Sequence, residues 1–290
     1  MKRSSWRKSK SSTCNPAMPR RASCLTKKAL TKLKRHWNLR HPDAQISATS
    51  PEMVSFELQV NLASSCQNER CLVRETLGEN NELEAQLFAP RAPSSWVSNP
   101  NEWLDSTDIS NVMRQFENAH STFVFLGPAP IDFQTASSQG RVIWDELANI
   151  NIAENYRRDK TKIGIIFNTD THDQPGEHWI AMYSDLNPTN RKPFIFFMDS
   201  AGDQIPPEVK SLVTKITKQC SDLGIQISYH DPGGLVHQKG DNECGMYCIY
   251  MITELLRGRN FEDFQSKRIT DEEMSDCREA YFEIRKTISC

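Results

Sequence analysis

Gln238-Lys239-Gly240-Asp241-Asn242-Glu243-Cys244-Gly245-Met246-Tyr247-Cys248 is the stretch that decides how the second half of the chain folds. From Cys244 to Leu256 apolar residues take nearly every helical position. This predicts a buried helix entered through Gly240 to Glu243 and closed by Gly258. Cys244 therefore stands where a loop turns into a helix, and there the free N–H groups and the macrodipole favour a thiolate. Cys248, one turn further along, reads as an inert buried thiol.

Working outward, Ile163 to Thr169, His178 to Leu186 and Phe194 to Ser200 are β-branched or aromatic runs between turn signals, the pattern of three successive strands. After Pro206-Pro207, residues Val209, Leu212, Val213, Ile216 and Leu223 share one helical face. Gly224 ends that helix, and Ile225 to His230 resumes strand character. Thr270 and Glu273 form a capping-box pair ahead of the last helix. The expected class is α+β, a central mixed sheet flanked by helices.

Around Cys244 the sequence supplies partners for thiol chemistry. His178-Trp179 opens one strand, Asp199 ends the next, and Gln238 lies six residues before the cysteine. A histidine can take the thiol proton and return it to a leaving amine, and an acid can fix the imidazole tautomer. A side-chain amide with backbone N–H groups can hold a tetrahedral oxyanion. Gly245, beside the nucleophile, is expected to let a substrate backbone come close.

Toward the N-terminus, Asp105 to Asp108 can cap a helix whose apolar positions are Ile109, Val112, Met113 and Phe116. Ala89 to Ser95 reads as a linker or extended segment. Leu25, Ala29, Leu33 and Trp37 recur every fourth residue among lysines, a basic amphipathic helix whose apolar stripe reads as a docking face. The first 42 residues carry thirteen Lys or Arg and no acid, which leaves 22 basic against 37 acidic groups, net -15, in the rest. Such a tail fits a polyanionic partner, through counterion release, or a solvated disordered segment. The expected division is a basic disordered tail over 1–19, a small, mainly helical N-terminal accessory region over 20–95 and a catalytic domain over 96–290.

Nine cysteines lie scattered without the framework of a small secreted disulfide scaffold, and a reducing compartment is expected. There is no signal-peptide pattern and no apolar run near the ~18 residues of a membrane span. His172, His230 and His237 accompany Cys244 and Cys248, but no Cys-x2-Cys pair exists, so neither metal nor other cofactor is expected.

The order His-Trp, Asp about twenty residues on, then Gln-x5-Cys-Gly resembles the ubiquitin-like-protein proteases, the family of the adenovirus endopeptidase and the SUMO proteases. Trp103-Leu104-Asp105 resembles the element opening that domain. Within the family the chain is most similar to the branch of large DNA viruses, with the polyprotein-processing protease of African swine fever virus. Shared stretches are Ser23 to Lys28, Phe125 to Phe133, His178 to Ala181, Ser200 to Gly202 and Arg268 to Glu272. The resemblance implies an adenain/SUMO-protease-like cysteine protease fold, with Cys244 as nucleophile, His178 as base, Asp199 as orienting acid and Gln238 at the oxyanion. Asp203 stays open as the third member, because that viral relative carries Asn at the position of Asp199. The resemblance also implies that Trp179 helps roof a narrow channel admitting Gly-Gly before the scissile bond.

The expected function is a cysteine endopeptidase cleaving after Gly-Gly-type small-residue motifs, processing viral structural polyproteins in host cytoplasm and virion. One alternative is an isopeptidase acting on ubiquitin or SUMO conjugates. The other is a nucleic-acid-binding virion protein on a protease scaffold. DNA is the expected partner of the basic tail.

Overall fold

The computed structural model describes residues 13–19, 21–79, 81–136, 140–187 and 192–284. They form two compact units, residues 13–92 with 279–284, and residues 93–278.

The first unit is helical: α1 Lys27–Arg40, α2 Pro51–Asn61, α3 Glu69–Leu77 and α4 Glu82–Leu87. Each helix starts where a short polar side chain accepts an otherwise orphaned backbone N–H. Thr26 takes that of Ala29, Ser50 that of Met53, Asn68 that of Cys71 and Asn81 that of Glu84. The apolar stripe of α1 is not free for docking. Ala29, Leu30, Leu33 and Trp37 are buried against Val54, Leu58, Leu72, Val73, Leu83 and Leu87.

Two expectations for this unit change. Residues 13–19, read as part of a disordered tail, are held by Ala89 N–H to the Thr13 carbonyl and Asn15 N–H to the Leu87 carbonyl, both 2.9 Å. The remaining tail, 1–12, lies outside the described residues. Four of the cysteines, in which the sequence showed no disulfide framework, form two local disulfides, Cys14–Cys24 and Cys66–Cys71. Residues 89–93 are extended, as one reading allowed, whereas Ser94–Val97 form a 3-10 helix. Glu283 N–H donates to the Pro90 carbonyl at 2.8 Å and Ala92 N–H to the Glu283 carbonyl at 3.1 Å.

The second unit holds a six-stranded sheet of β1 Phe123–Phe125, β2 Ala129–Pro130, β3 Lys162–Asn168, β4 Trp179–Asp185, β5 Phe194–Met198 and β6 Ser228–His230. The order is β1-β3-β4-β5-β6, with β2 on β3. The three central strands are antiparallel, whereas β1 and β2 run parallel to β3 and β6 parallel to β5. This is the expected central mixed sheet, with the three strand runs at its centre. The helices here are α5 Ser106–Ala119, α6 Asp145–Ala148, α7 Ile152–Arg157, α8 Pro207–Asp222, α9 Cys244–Leu256, α10 Glu262–Ser266 and α11 Asp271–Tyr281.

Strands β3 to β5 are buried along almost their whole length because both sheet faces are covered. On one face Val209, Leu212, Val213 and Ile216 of α8 meet Ile163, Ile165, Ile180, Met182, Ile195 and Phe197. Leu223, grouped with that face from its spacing, is instead exposed at the C-cap of α8, because the helix has already ended. Against β3 and β4 on the other face lies α9. Gly164 permits that approach, since a Cβ there would sit 3.0 Å from Ile252 and 2.8 Å from the Phe123 ring. Among the described residues no helix is long and apolar enough to cross a membrane.

Candidate active site

Because β4 and β5 are antiparallel with Ala181 opposite Met198, the end of β5 runs out beside the start of β4. Two sequence-predicted residues meet there. His178 Nε2 lies 2.8 Å from Asp199 Oδ1, and the same oxygen accepts the Ala201 N–H at 2.8 Å. Since a carboxylate only accepts, the Nε2 atom carries the proton. Asp199 is 4% exposed, so the bond is shielded from water. Of the two acids left open by the sequence, Asp199 is the one bonded to His178; Asp203 is exposed.

Cys244 is the second group, after Asp199, that raises the proton affinity of His178. Burial alone would push the imidazole down, but Asp199 and Cys244 together outweigh it and lift His178 to about 10. Cys244 is the first residue of α9 and is buried. Cys248 is buried deeper in the same helix. Desolvation first, then Cys244 and Asp199, hold its thiol well above the usual range.

Gln238 is buried and closely tied. Its N–H donates to the Ser200 carbonyl at 2.8 Å, its Oε1 accepts the Ser200 hydroxyl at 2.8 Å, and its Nε2 donates to the Gly240 carbonyl at 2.7 Å. An amide nitrogen carries two hydrogens, so one stays available to a developing negative charge.

Trp103, Leu104 and Asp105 bracket this region. The Trp103 indole donates to Asn242 Oδ1 at 3.0 Å, and the Trp179 indole donates to the Leu104 carbonyl at 2.9 Å. Asp105 accepts the Asp108 N–H at 2.7 Å and caps α5. The Leu104 side chain packs over Gly245. A Cβ at 245 would lie 2.9 Å from Leu104 Cβ, so the glycine makes room for an internal neighbour.

Sequence reasoning missed the anchor of the turn before Cys244. Glu243 does not cap α9; its Oε2 accepts Arg278 Nε at 3.0 Å, and Arg278 stacks over Trp96 at 4.5 Å. Both partners are almost wholly buried. No local pattern marks a pair 35 positions apart. The histidines weighed as metal ligands have other partners: His172 with Asp132, His230 with Ser228, and His237 with the Phe264 carbonyl. Among the described residues no group of three or more His, Cys, Asp or Glu is placed to hold a metal ion. Beside Asp199 a cavity of about 640 Å³ opens, lined also by Asp203, Lys210, Tyr229 and Asp231.

Residues 121–290 match the model of the Ulp1 protease family, C-terminal catalytic domain. The chain belongs to the Ulp1 protease family. This Ulp1-family chain is 29% identical over 221 residues to a protein of Acanthamoeba polyphaga mimivirus, a thiol protease by name, covering 75% of this chain and 68% of that one. It is 24% identical over 249 residues to a cysteine protease of African swine fever virus, covering 80% and 88%. A crystal structure of the African swine fever virus protease superposes with a TM-score of 0.64 at 20% identity, over 94% of this chain and 96% of that one. The likeness in fold to the African swine fever virus protease thus extends over nearly the whole chain, beyond the residues 121–290 of the family model, and the chain is a cysteine protease.

Proposed function

We propose that this cysteine protease is an endopeptidase using Cys244 as nucleophile, His178 as base, Asp199 as orienting acid and Gln238 as oxyanion donor. It cleaves after Gly-Gly-type small-residue motifs in viral structural polyproteins. The observation that carries this reading is the 2.8 Å bond of His178 to the buried Asp199, with Cys244, which also raises the His178 proton affinity, at the first residue of a helix.

Asp199 holds the Nε2–H of His178, and the imidazole takes the thiol proton of Cys244. The sulfur attacks the scissile carbonyl carbon, and the resulting oxyanion is met by Gln238 Nε2 and backbone N–H groups at the start of α9. His178 then gives its proton to the leaving amine as the carbon–nitrogen bond breaks, leaving a thioester on Cys244. A water deprotonated by His178 attacks the thioester, and cleavage of the carbon–sulfur bond returns the thiolate. Trp179 is the proposed wall of the channel that restricts the two residues before the cut to glycine or similar.

A second reading is favoured by relatives from African swine fever virus that are named SUMO-1 cysteine protease: the substrate is a ubiquitin-like conjugate, cut at its isopeptide bond. Incubation with Gly-Gly-Xaa peptides and, separately, with ubiquitin and SUMO conjugates, read by mass spectrometry, tests both. Cleavage of peptides alone supports polyprotein processing, cleavage of conjugates supports the isopeptidase, and no cleavage of either contradicts the proposal.

The basic segment is the proposed contact for DNA. Lys27, Lys28, Lys32, Arg35 and Arg40 are exposed on α1. If the segment binds phosphates, deleting residues 1–42 lowers DNA affinity and flattens its salt dependence; unchanged affinity and slope refute it.

A further inference from the structure

The loop between Gln238 and Cys244 is held by one carboxylate from the run Arg268-Ile269-Thr270-Asp271-Glu272, a stretch to which the reaction above gives no task. Asp271 Oδ2 accepts the backbone N–H of Lys239 at 3.0 Å and that of Gly240 at 3.3 Å. The Tyr247 hydroxyl, in the first turn of α9, lies 3.0 Å from Asp271 Oδ1 and 3.0 Å from the Ile269 carbonyl. Arg268 Nη2 approaches Asp271 Oδ2 at 3.4 Å while its Nε donates to the His237 carbonyl at 2.8 Å.

The residue before Gln238 is held from the same run. His237 is wholly buried, its Nδ1 accepts the Ile269 N–H at 3.1 Å, and its Nε2 donates to the Phe264 carbonyl at 2.9 Å. Thus 268–271 grips positions 237, 239 and 240, on both sides of Gln238, and also Tyr247 of the helix that begins at Cys244.

Helix capping does not account for Asp271. The N-terminus of α11 is served by Thr270 and Glu273, whose side chains each accept the other's backbone N–H, at 3.2 Å and 2.7 Å. Asp271 instead turns its oxygens outward onto the loop, where every neighbour is a donor, so an acceptor-only group is required. The link to Gln238 has two steps. Asp271 fixes the Gly240 peptide through its N–H on one side, and the Gly240 carbonyl fixes Gln238 Nε2 on the other.

We infer that Asp271 is a positioning residue for proteolysis, acting through Gly240 to set the place of the Gln238 amide against the Cys244 sulfur. This rests on the reading of Gln238 as oxyanion donor. A donor displaced by about 1 Å loses on the order of 100-fold in rate, so the brace has measurable leverage.

The test measures kcat and KM of the full chain on a Gly-Gly-Xaa peptide for Asp271→Ala, the isosteric Asp271→Asn, Gln238→Ala and the Asp271→Ala/Gln238→Ala double variant. The rate of Cys244 alkylation by iodoacetamide is followed in each, with Glu272→Ala as the exposed control. The brace predicts a roughly 10- to 100-fold lower kcat for Asp271→Ala, a smaller loss for Asp271→Asn, KM within about two-fold, and alkylation unchanged. The double variant is no slower than Gln238→Ala, because both changes remove one device. The brace is overturned by losses that multiply in the double variant, by alkylation falling in step with kcat, or by wild-type turnover in Asp271→Ala beside a slowed Gln238→Ala. Wild-type turnover in Gln238→Ala overturns the oxyanion reading itself, and the brace with it.

Discussion

The indole of Trp179 donates to the carbonyl of Leu104 at 2.9 Å across 75 positions of chain. Trp179 follows His178, and the Leu104 side chain lies over Gly245, which follows Cys244. The proposed base and nucleophile therefore share a neighbour, and a change at residue 104, 179 or 245 is felt by both. Trp179→Phe keeps a ring but leaves a buried carbonyl without its donor, costing about 1–3 kcal/mol. Urea unfolding is expected to show that loss, and kcat/KM on a Gly-Gly peptide to fall with it. An unchanged midpoint would mean that the bond contributes nothing.

Gly245→Ala separates an internal role from a substrate role for this glycine. A methyl group 2.9 Å from Leu104 Cβ overpacks the contact, with an expected loss of about 1–3 kcal/mol. In the Leu104→Ala background the same substitution costs less, because the clash is gone. Unaltered stability with a raised KM would favour the substrate explanation.

The charge state of His178 predicts a pH dependence with a definite sign. Its folded value, about 10, lies above the ordinary 6.5. The folded state thus binds this proton more tightly, and the stabilisation is complete below about pH 6.5 and lost as pH rises through about 10. Unfolding of wild type and His178→Asn, compared at several pH values, is expected to show the wild-type advantage shrinking across that window. An advantage that grows with pH would contradict the paired imidazolium.

Glu243 and Arg278 are almost fully buried with a 3.0 Å bond between them. Removing one partner strands the other charge, so Glu243→Ala or Arg278→Ala is expected to cost about 3–5 kcal/mol. Replacing both by apolar residues of similar volume costs far less. Denaturation midpoints of the two single variants and the double check this; equal effects throughout would refute a buried pair.

Much of this was legible in sequence because the signals are local. The strand runs around Ile163, His178 and Phe194 became β3, β4 and β5, and the apolar stretch from Cys244 became α9. The Thr270–Glu273 capping pair formed as its spacing implies. What sequence did not carry depends on contacts between distant positions. Nothing near Gly245 says that Leu104 occupies its space, and nothing near Glu243 names Arg278. The buried stripe of α1 was read as a docking face because helical periodicity reports that a face is apolar, not what covers it. The cysteines at 14, 24, 66 and 71 became visible as pairs only once folding had set their distances.

The central claim is that one thiol, Cys244, is activated by His178 to attack a carbonyl. Treating the full chain with a peptide ending in Gly-Gly and carrying a C-terminal electrophile, then locating the adduct by peptide mass mapping, tests it most directly. The account predicts a single adduct on Cys244, formed at least about 100-fold more slowly in His178→Ala, a loss at the lower end of the effect of general acid–base catalysis. An adduct on Cys220, Cys248 or Cys277 with Cys244 unmodified, or labelling of Cys244 at the same rate without His178, would contradict it.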